Sequence, residues 1–252
     1  MNYSKLKIYL EDIYSKYKHK HSSKDPVWIL HNCKNDLDVE ALGLVVSCFS
    51  YGNINQINNF INSLIKISGL DFSDFILNFN RKKELNKLQN LYYRFNNSED
   101  LVLLILNLQR VLKTYGSLRN LILKIGNNGN VTQLISGFAN ELKKFRSDRE
   151  GNFDYLLPDP INKSTCKRLN LYLRWMVRSD EIDLGVWKDL IDKSNLIMPV
   201  DTHIYKVSRD LKMVKRKSCD LKYALELTEV LKKFDPTDPI RFDFAMCHIR
   251  VK

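Results

Sequence analysis

The sequence lacks cysteine pairs, internal repeats and long apolar runs. The first and the last of these absences each exclude a class of protein. Its 5 Cys residues are scattered and form no C-x-x-C pair, so neither a zinc site, an iron–sulfur cluster nor another cofactor is expected. Free thiols fit a reducing compartment. No apolar run approaches the ~18 residues of a membrane-spanning helix, and the N-terminus lacks the apolar core of a signal peptide. The sequence predicts a soluble, cytoplasmic protein.

Positive charge, in contrast, is plentiful. The chain has 40 Lys and Arg against 29 Asp and Glu, which gives a net charge of +11 and a pI of about 9.3. A balance of this kind makes a polyanion the first partner to consider. Nucleic acid fits that description, and so does an anionic membrane surface.

Apolar residues recur at helical spacing along nearly the whole chain. Ile54, Ile57, Ile61 and Leu64 fall on one face of a helix, for example, and strict alternation persists nowhere. This pattern predicts an all-α protein. The longest stretch without helical spacing is 148–164, and we take it as the approximate boundary between two lobes of a single unit, 1–252.

The segment "KSTCKRLNLYLRWMVR", residues 163–178, predicts a helix with Ser164 as its N-cap and Lys167 in its first turn. A lysine at the positive end of the helix dipole costs roughly 0.3–1 kcal/mol, and Arg168 adds repulsion. Both effects favour the uncharged amine that a nucleophile needs. The alternative interpretation is a solvated lysine at the edge of a basic, phosphate-binding face that includes Arg174 and Arg178.

A second helix is predicted to begin near Thr202, directly after "MPVD". Pro199 keeps the approaching chain extended, and Asp201 then occupies the N-cap, where backbone amides favour its ionised form. The simplest interpretation is a good helix cap. The functional one is a carboxylate directed into a cleft, where it stabilises positive charge on a sugar or activates a nucleophile.

The segment "VDTHIYKV", residues 200–207, resembles the region of the catalytic aspartate in the helix-hairpin-helix DNA glycosylase superfamily. In members that also cleave the strand, a catalytic lysine begins the helix after the hairpin, which is the position of Lys167. The separation of 34 residues (201 − 167) is closer to that of archaeal 8-oxoguanine glycosylases than to that of endonuclease III-like enzymes. The resemblance implies a two-lobed helical fold with the active site between the lobes. In such enzymes the N-terminal helix, here 1–20, often packs with the C-terminal lobe.

A further resemblance covers nearly the whole chain. A bacterial family labelled as a domain of unknown function has motifs similar to "SYGN" at 50–53, "YRF" at 93–95 and "FDPTDPIRFDFA" at 234–245. Two glycosylase features are missing from the sequence. The segment "PDPINKST" stands in place of a glycine-rich hairpin, and the four-cysteine cluster of endonuclease III-like enzymes is absent.

The glycosylase resemblance implies base-excision repair of DNA. Lys167 would attack the sugar and form a Schiff base, and Asp201 would balance the developing charge. The expected partner is duplex DNA with a damaged base such as 8-oxoguanine, bound by a monomer that is nucleoid-associated in a bacterium. The expected phosphate contacts are Arg168, Arg174, Arg178, Lys212, Lys215, Arg216 and Lys217, and the candidates for stacking on a flipped base are Trp175, Trp187 and Phe145.

Two other interpretations remain open. A non-catalytic DNA-binding protein would keep the fold and the basic face, with Lys167 touching phosphate and Asp201 acting only as a cap. Binding to an anionic membrane or a protein partner would require an amphipathic basic helix with exposed apolar residues. No segment clearly shows that pattern.

Overall fold

The computed structural model describes residues 3–21, 24–126, 129–145 and 151–250, and the elements within these ranges are all helical. The α-helices are α1 (Tyr3–Tyr17), α2 (Asp36–Phe49), α3 (Ile54–Ser68), α4 (Phe72–Leu77), α5 (Arg81–Leu88), α6 (Ser98–Tyr115), α7 (Leu118–Ile125), α8 (Val131–Glu141), α9 (Phe153–Leu156), α10 (Lys167–Val177), α11 (Thr202–Asp210), α12 (Leu221–Lys232) and α13 (Asp243–Met246). Three short 3-10 helices cover Pro26–Asn32, Pro160–Asn162 and Lys193–Asn195. The prediction of an all-α protein is confirmed. Within the described ranges, no helix is long and apolar enough to cross a bilayer.

Asparagine begins many of these helices. Its short amide accepts a hydrogen bond from a backbone N–H in the first turn, which satisfies one of the donors that a helix start leaves unpaired. The Asn residues that cap in this way are Asn35, Asn53, Asn80, Asn97 and Asn130. Capping of this kind fixes where each helix begins.

Helices α2 and α10 pack against each other at the centre of the protein. Every residue of α2 from Asp38 to Phe49 is buried. Close approach depends on Gly43, since a Cβ there would lie 3.1 Å from Met176 Cε and 3.4 Å from a ring carbon of Tyr172. Tyr172 Oη donates a hydrogen bond of 3.0 Å to the carbonyl of Glu40. This packing sets the position of the first residue of α10, which is Lys167.

A buried carboxylate joins α2 to two later segments. Glu40 accepts hydrogen bonds from the backbone amides of Leu118 at 2.8 Å and Arg119 at 3.1 Å, at the start of α7. Its other oxygen accepts from Trp187 Nε1 at 2.9 Å. Burial raises the pKa of Glu40, and these three donors partly offset that effect. Glu40 is therefore a structural acceptor for three donors.

The N-terminal helix α1 packs on the C-terminal part of the chain. Tyr14 lies edge-on to Phe242 with ring centroids 5.9 Å apart, and Tyr3 meets Phe234 at 5.3 Å. Glu11 also pairs with Arg241. Of the stretch 148–164 that we assigned to the lobe boundary, residues 148–150 lie outside the described part of the chain.

We predict that Glu40→Gln destabilises the fold by about 1–3 kcal/mol. A glutamine has one acceptor oxygen, so either the α7 amides or the indole N–H of Trp187 loses its partner. Urea denaturation followed by circular dichroism measures the loss. Glu226→Gln on the exposed side of α12 is the control, expected within about 0.5 kcal/mol of wild type. Equal stability of the two variants would contradict the assigned role of Glu40.

Candidate functional site

The start of α10 differs in detail from the sequence prediction. Cys166, not Ser164, is the N-cap; it has φ 49° and makes no side-chain capping bond. Ser164 Oγ instead accepts a hydrogen bond of 3.1 Å from the amide of Cys166. Lys167 is the first residue of the helix, and Thr165 and Cys166 lie before it. The left-handed residue turns the chain sharply into the helix, which no side-chain pattern in the sequence indicates.

The side chain of Lys167 meets the carboxyl end of α2. Its Nζ donates a hydrogen bond of 2.9 Å to the carbonyl of Ser50, the C-cap residue of α2. Arg168 Nη1 reaches the carbonyl of Cys48 at 3.4 Å. Basic side chains commonly satisfy the last carbonyls of a helix in this way. The bond holds the amine of Lys167 in one place.

Asp201 begins α11, as the sequence predicts. The chain reaches it through Pro199 and Val200 in extended form, and its Oδ1 accepts a hydrogen bond of 2.9 Å from the amide of Ile204. The carbonyl of Val200 accepts a hydrogen bond of 2.9 Å from Thr165 Oγ1. This bond ties the approach to Asp201 to the approach to Lys167, so the two helix beginnings are held together.

Lys167 and Asp201 line the same two adjoining cavities. The inner cavity has a volume of about 360 Å³ and the outer one about 560 Å³. The residues common to both are Ser50, Tyr51, Gly52, Lys167, Asp201 and His203. The structure therefore brings the two sequence-predicted catalytic residues to one concave site.

Two further carboxyl groups line the inner cavity. Burial is the largest influence on both, and it raises the pKa of Asp25 and the pKa of Asp243, against the lowering effect of Arg174 and Lys167. Asp25 also accepts a hydrogen bond of 2.9 Å from the amide of Val27. Neither carboxyl group was predicted from the sequence to belong to the site.

Two of the predicted phosphate contacts are buried in ion pairs, so those predictions are wrong. Arg174 is 2% exposed and bonds Asp183 at 3.1 Å and Asp243 at 2.6 Å. Arg178 is 3% exposed and pairs with Asp238 at 2.9 Å and also with Asp183. A buried guanidinium needs carboxylate partners, and here those carboxylates occupy both guanidinium groups, including that of Arg174 at the edge of the inner cavity. The helical spacing correctly placed Arg174 and Arg178 on one face, but it did not indicate that this face is buried.

Arg168 is also buried, against expectation, although it borders the outer cavity. Its Nη2 donates to the carbonyl of Tyr155, and its guanidinium lies 4.1 Å from the centroid of that ring. Burial lowers the pKa of Arg168, since few acceptors compensate the lost water. Arg168 therefore supports Tyr155, which lines the outer cavity, and does not present its charge to solvent.

The three predicted stacking residues do not line either cavity. Trp175 and Trp187 are completely buried in the core, where large apolar rings on helices usually lie. Phe145 is exposed, and its backbone amide is bonded to Asn107 Oδ1 at 2.9 Å. The two tryptophans are therefore excluded as partners for a flipped base.

The predicted basic loop between α11 and α12 presents three of its four cations to solvent. Lys212, Lys215 and Lys217 are exposed, whereas Arg216 pairs with Asp220 at 2.7 Å. Tyr205 Oη donates to the carbonyl of Lys217 at 2.6 Å, and Arg209 holds the carbonyls of Lys215 and Arg216. Cys219, at the end of this loop, lines the outer cavity. The exposed lysines thus lie close in sequence to the rim of the site.

Several cavity residues were missed by the sequence analysis. The outer cavity is bordered by Tyr51, Arg94, Phe95 and Tyr155. His203 borders both cavities, and its buried Nε2 has no hydrogen-bond partner among the described residues. Tyr51 and Phe95 fall in "SYGN" and "YRF", the motifs that carried the whole-chain resemblance. Those motifs were the available signal, but they gave no indication of chemistry.

The geometry defines an all-α protein with a lysine and an aspartate at one concave site. The chain belongs to the family described as "Protein of unknown function (DUF2400)", which matches residues 25–252. The comparisons with curated proteins and with solved structures gave no match. The match confirms the resemblance to a family labelled as a domain of unknown function. Both Lys167 and Asp201 lie within the matched residues.

We predict that Arg178→Gln costs about 3–5 kcal/mol of stability, because it leaves buried carboxylates without their partner. Lys217→Gln, on the exposed loop, is expected to change stability by less than about 0.5 kcal/mol. Urea unfolding of both variants gives the comparison. A stable Arg178→Gln protein would show that the buried ion pairs are not needed for the fold.

The pH dependence of stability should report on Asp25. Because its native pKa is raised, the stabilisation from its protonation is complete below its ordinary value of 3.8 and is lost as pH rises through the native pKa. Asp25→Asn keeps an acceptor for Val27 and cannot ionise. We expect this variant to be more stable than wild type near neutral pH and to approach wild type in acid, in urea titrations between about pH 3 and pH 7.

Asp192→Asn is the matched control, since Asp192 also caps a 3-10 helix. The amide of Ser194 lowers the pKa of Asp192, so its stabilising contribution is present above 3.8 and is lost as the pH falls through the native value. The two substitutions should therefore have opposite signs near neutral pH. The same sign for both would contradict the burial assigned to Asp25.

Proposed function

We propose that the protein is a DNA glycosylase with AP-lyase activity, which removes an oxidised base such as 8-oxoguanine through a Schiff base on Lys167. The observation that carries this proposal is that Lys167 and Asp201 line the same two cavities. The net charge of +11 favours a polyanionic substrate. Repair of DNA inside the cell follows from this reaction.

The proposal includes a two-lobed arrangement resembling that of helix-hairpin-helix glycosylases, with the reaction in the cleft between lobes. This arrangement is supported by the positions of the cavity-lining residues in the sequence. Helix α10 and the start of α11 supply Lys167 and Asp201, whereas Tyr51 and Phe95 come from much earlier in the chain. A site assembled from distant segments is typical of a cleft.

Lys167 acts as the nucleophile in this scheme. The lone pair of its uncharged Nζ forms a bond to C1′ while the bond from C1′ to the base breaks, and the base leaves with that electron pair and takes up a proton. Opening of the sugar ring then gives the Schiff base. Loss of a proton from C2′ expels the 3′ phosphate, and water finally releases the lysine. The bond to Ser50 O orients the amine for the first step.

Asp201 supplies the negative charge that the reaction needs. Its Oδ1 is held by the amide of Ile204, and among the described residues no hydrogen bond to its Oδ2 is present. A fixed carboxylate of this kind stabilises the cationic sugar that forms as the base departs. It also accepts protons in the later steps. Because it caps α11, its position is set before substrate arrives.

We predict that borohydride traps a covalent complex between the protein and an oligonucleotide that contains 8-oxoguanine or an abasic site. Lys167→Gln should abolish trapping because glutamine cannot form an imine. Asp201→Asn should slow base release by on the order of 10²-fold or more and leave trapping at a preformed abasic site largely intact. Denaturing gels detect both the trapped complex and the cleaved strand.

Lys163→Gln is the matched control for the nucleophile. Lys163 is exposed, lies four positions before Lys167 and lines neither cavity, so its substitution should leave trapping unchanged. A complex that persists in Lys167→Gln assigns the nucleophile elsewhere. No trapping across oxidised, uracil-containing and abasic substrates, with DNA binding intact, is the result expected of a non-catalytic DNA-binding protein.

A further inference from the structure

Exposed aromatic rings stand beside the lysine. Phe95 is 55% exposed and Tyr155 is 42% exposed, and both line the outer cavity with Lys167 and Asp201. Tyr92, three-quarters exposed, borders a neighbouring cavity of about 460 Å³. Exposed apolar surface concentrated around one concave region usually marks a binding site. The mechanism proposed above makes no use of these rings.

The backbone at Phe95 is held in a hydrogen-bonded turn. Tyr93 and Asn96 exchange backbone hydrogen bonds of 2.8 and 3.0 Å across Arg94 and Phe95. Asn152 Nδ2 donates to the carbonyl of Phe95 at 2.7 Å, and Tyr51 Oη lies 2.8 Å from Asn96 Oδ1. The backbone that carries Phe95 is therefore pre-organised, which reduces the entropy lost when a ligand binds.

Tyr51, Phe95 and Tyr155 form one aromatic wall. The ring centroids of Tyr51 and Tyr155 are 5.2 Å apart, and those of Phe95 and Tyr155 are 5.6 Å apart. The guanidinium of Arg168 lies over Tyr155 on this wall. The roles proposed for Lys167 and Asp201 do not require aromatic rings beside them. A flat aromatic ligand, in contrast, can stack on such a wall.

Arg94 places a cation at the edge of the aromatic wall. Its guanidinium lies 5.4 Å from the ring centroid of Phe95, and the side chain borders both the outer cavity and the neighbouring one. Arg94 has φ 53°, in the left-handed region that residues with a side chain rarely adopt. Gly52 leaves room for it, since a Cβ there would lie 2.3 Å from Arg94 Nη1. A ring surface next to a guanidinium matches a nucleotide, which joins a flat base to a phosphate.

We propose that the aromatic wall stacks on unpaired bases next to the reacting nucleotide, with Arg94 on their phosphate, so that single-stranded or locally unpaired DNA is the preferred substrate. This inference rests on the proposed function for the identity of the polymer. In a duplex the faces of each base are covered by its neighbours, and only an unpaired base offers a face to Phe95 or Tyr155. The burial of Arg174 and Arg178 removes two of the contacts that were expected to grip a duplex. Under this proposal, unpaired DNA takes the place of the duplex DNA that the sequence predicts as the partner.

The test measures binding without chemistry. Fluorescence anisotropy with the full-length Lys167→Gln protein compares labelled undamaged oligothymidylate with a mixed-sequence duplex and with the same duplex carrying an unpaired bubble. We expect the single strand and the bubble to bind about tenfold or more tightly than the duplex. Phe95→Leu in the same protein should weaken single-strand binding by about tenfold, the typical effect of losing one stacked ring. Because Phe95 is largely exposed, its substitution should leave the thermal unfolding midpoint unchanged.

Phe145→Leu is the matched control, an exposed phenylalanine that lines neither cavity, and it should bind as the parent does. Equal binding by the Phe95 and Phe145 variants, or equal affinity for duplex and single strand, would overturn the inference. Borohydride trapping by wild-type protein is scored separately. If trapping occurs but binding does not depend on Phe95, the proposed enzymatic activity is supported and the proposed role of the aromatic wall is contradicted. If binding depends on Phe95 but no complex is trapped, the role of the aromatic wall is supported and the proposed enzymatic activity is contradicted.

Discussion

The meeting of two helix ends is the constraint on which the site depends. The carbonyls of Cys48 and Ser50 lie at the carboxyl end of α2, and Arg168 and Lys167 at the start of α10 supply donors to them. The packing of α2 on α10 through Gly43 brings these ends together. A lysine that would be poorly placed in an isolated helix is stabilised here by a second helix of opposite polarity at that point.

The amine of Lys167 shares the inner cavity with the carboxyl groups of Asp25, Asp201 and Asp243. Desolvation of Asp25 and Asp243 limits how much negative charge these two groups bring, since burial raises the pKa of each. The hydrogen bond from Lys167 Nζ to the carbonyl of Ser50 fixes the amine beside these groups.

Helical spacing and capping rules predicted what is local in this structure. The all-α class, the first-turn position of Lys167 and the cap at Asp201 each depend on neighbours within a few residues. What spacing does not encode is which helix lies at the centre. Every residue of α10 from Arg168 to Val177 is buried, so Arg174 and Arg178 must pair with Asp183, Asp238 and Asp243 from later segments. The same burial places Trp175 in the core, and the aromatic wall joins segments about a hundred residues apart.

In the proposed complex with DNA, the distribution of cations limits how much of the binding can come from charge. Burial withdraws Arg168, Arg174 and Arg178 from solvent, and Arg216 is paired. Lys24 and Arg94 line the cavities, and Lys212, Lys215 and Lys217 are exposed on the loop between α11 and α12. Five phosphate contacts on a single strand correspond to a salt-dependence slope of only about 3.5. Electrostatics of that size steers a strand toward the site but discriminates little between strands. Under the proposal, base stacking, which only unpaired nucleotides permit, is then the main source of selectivity.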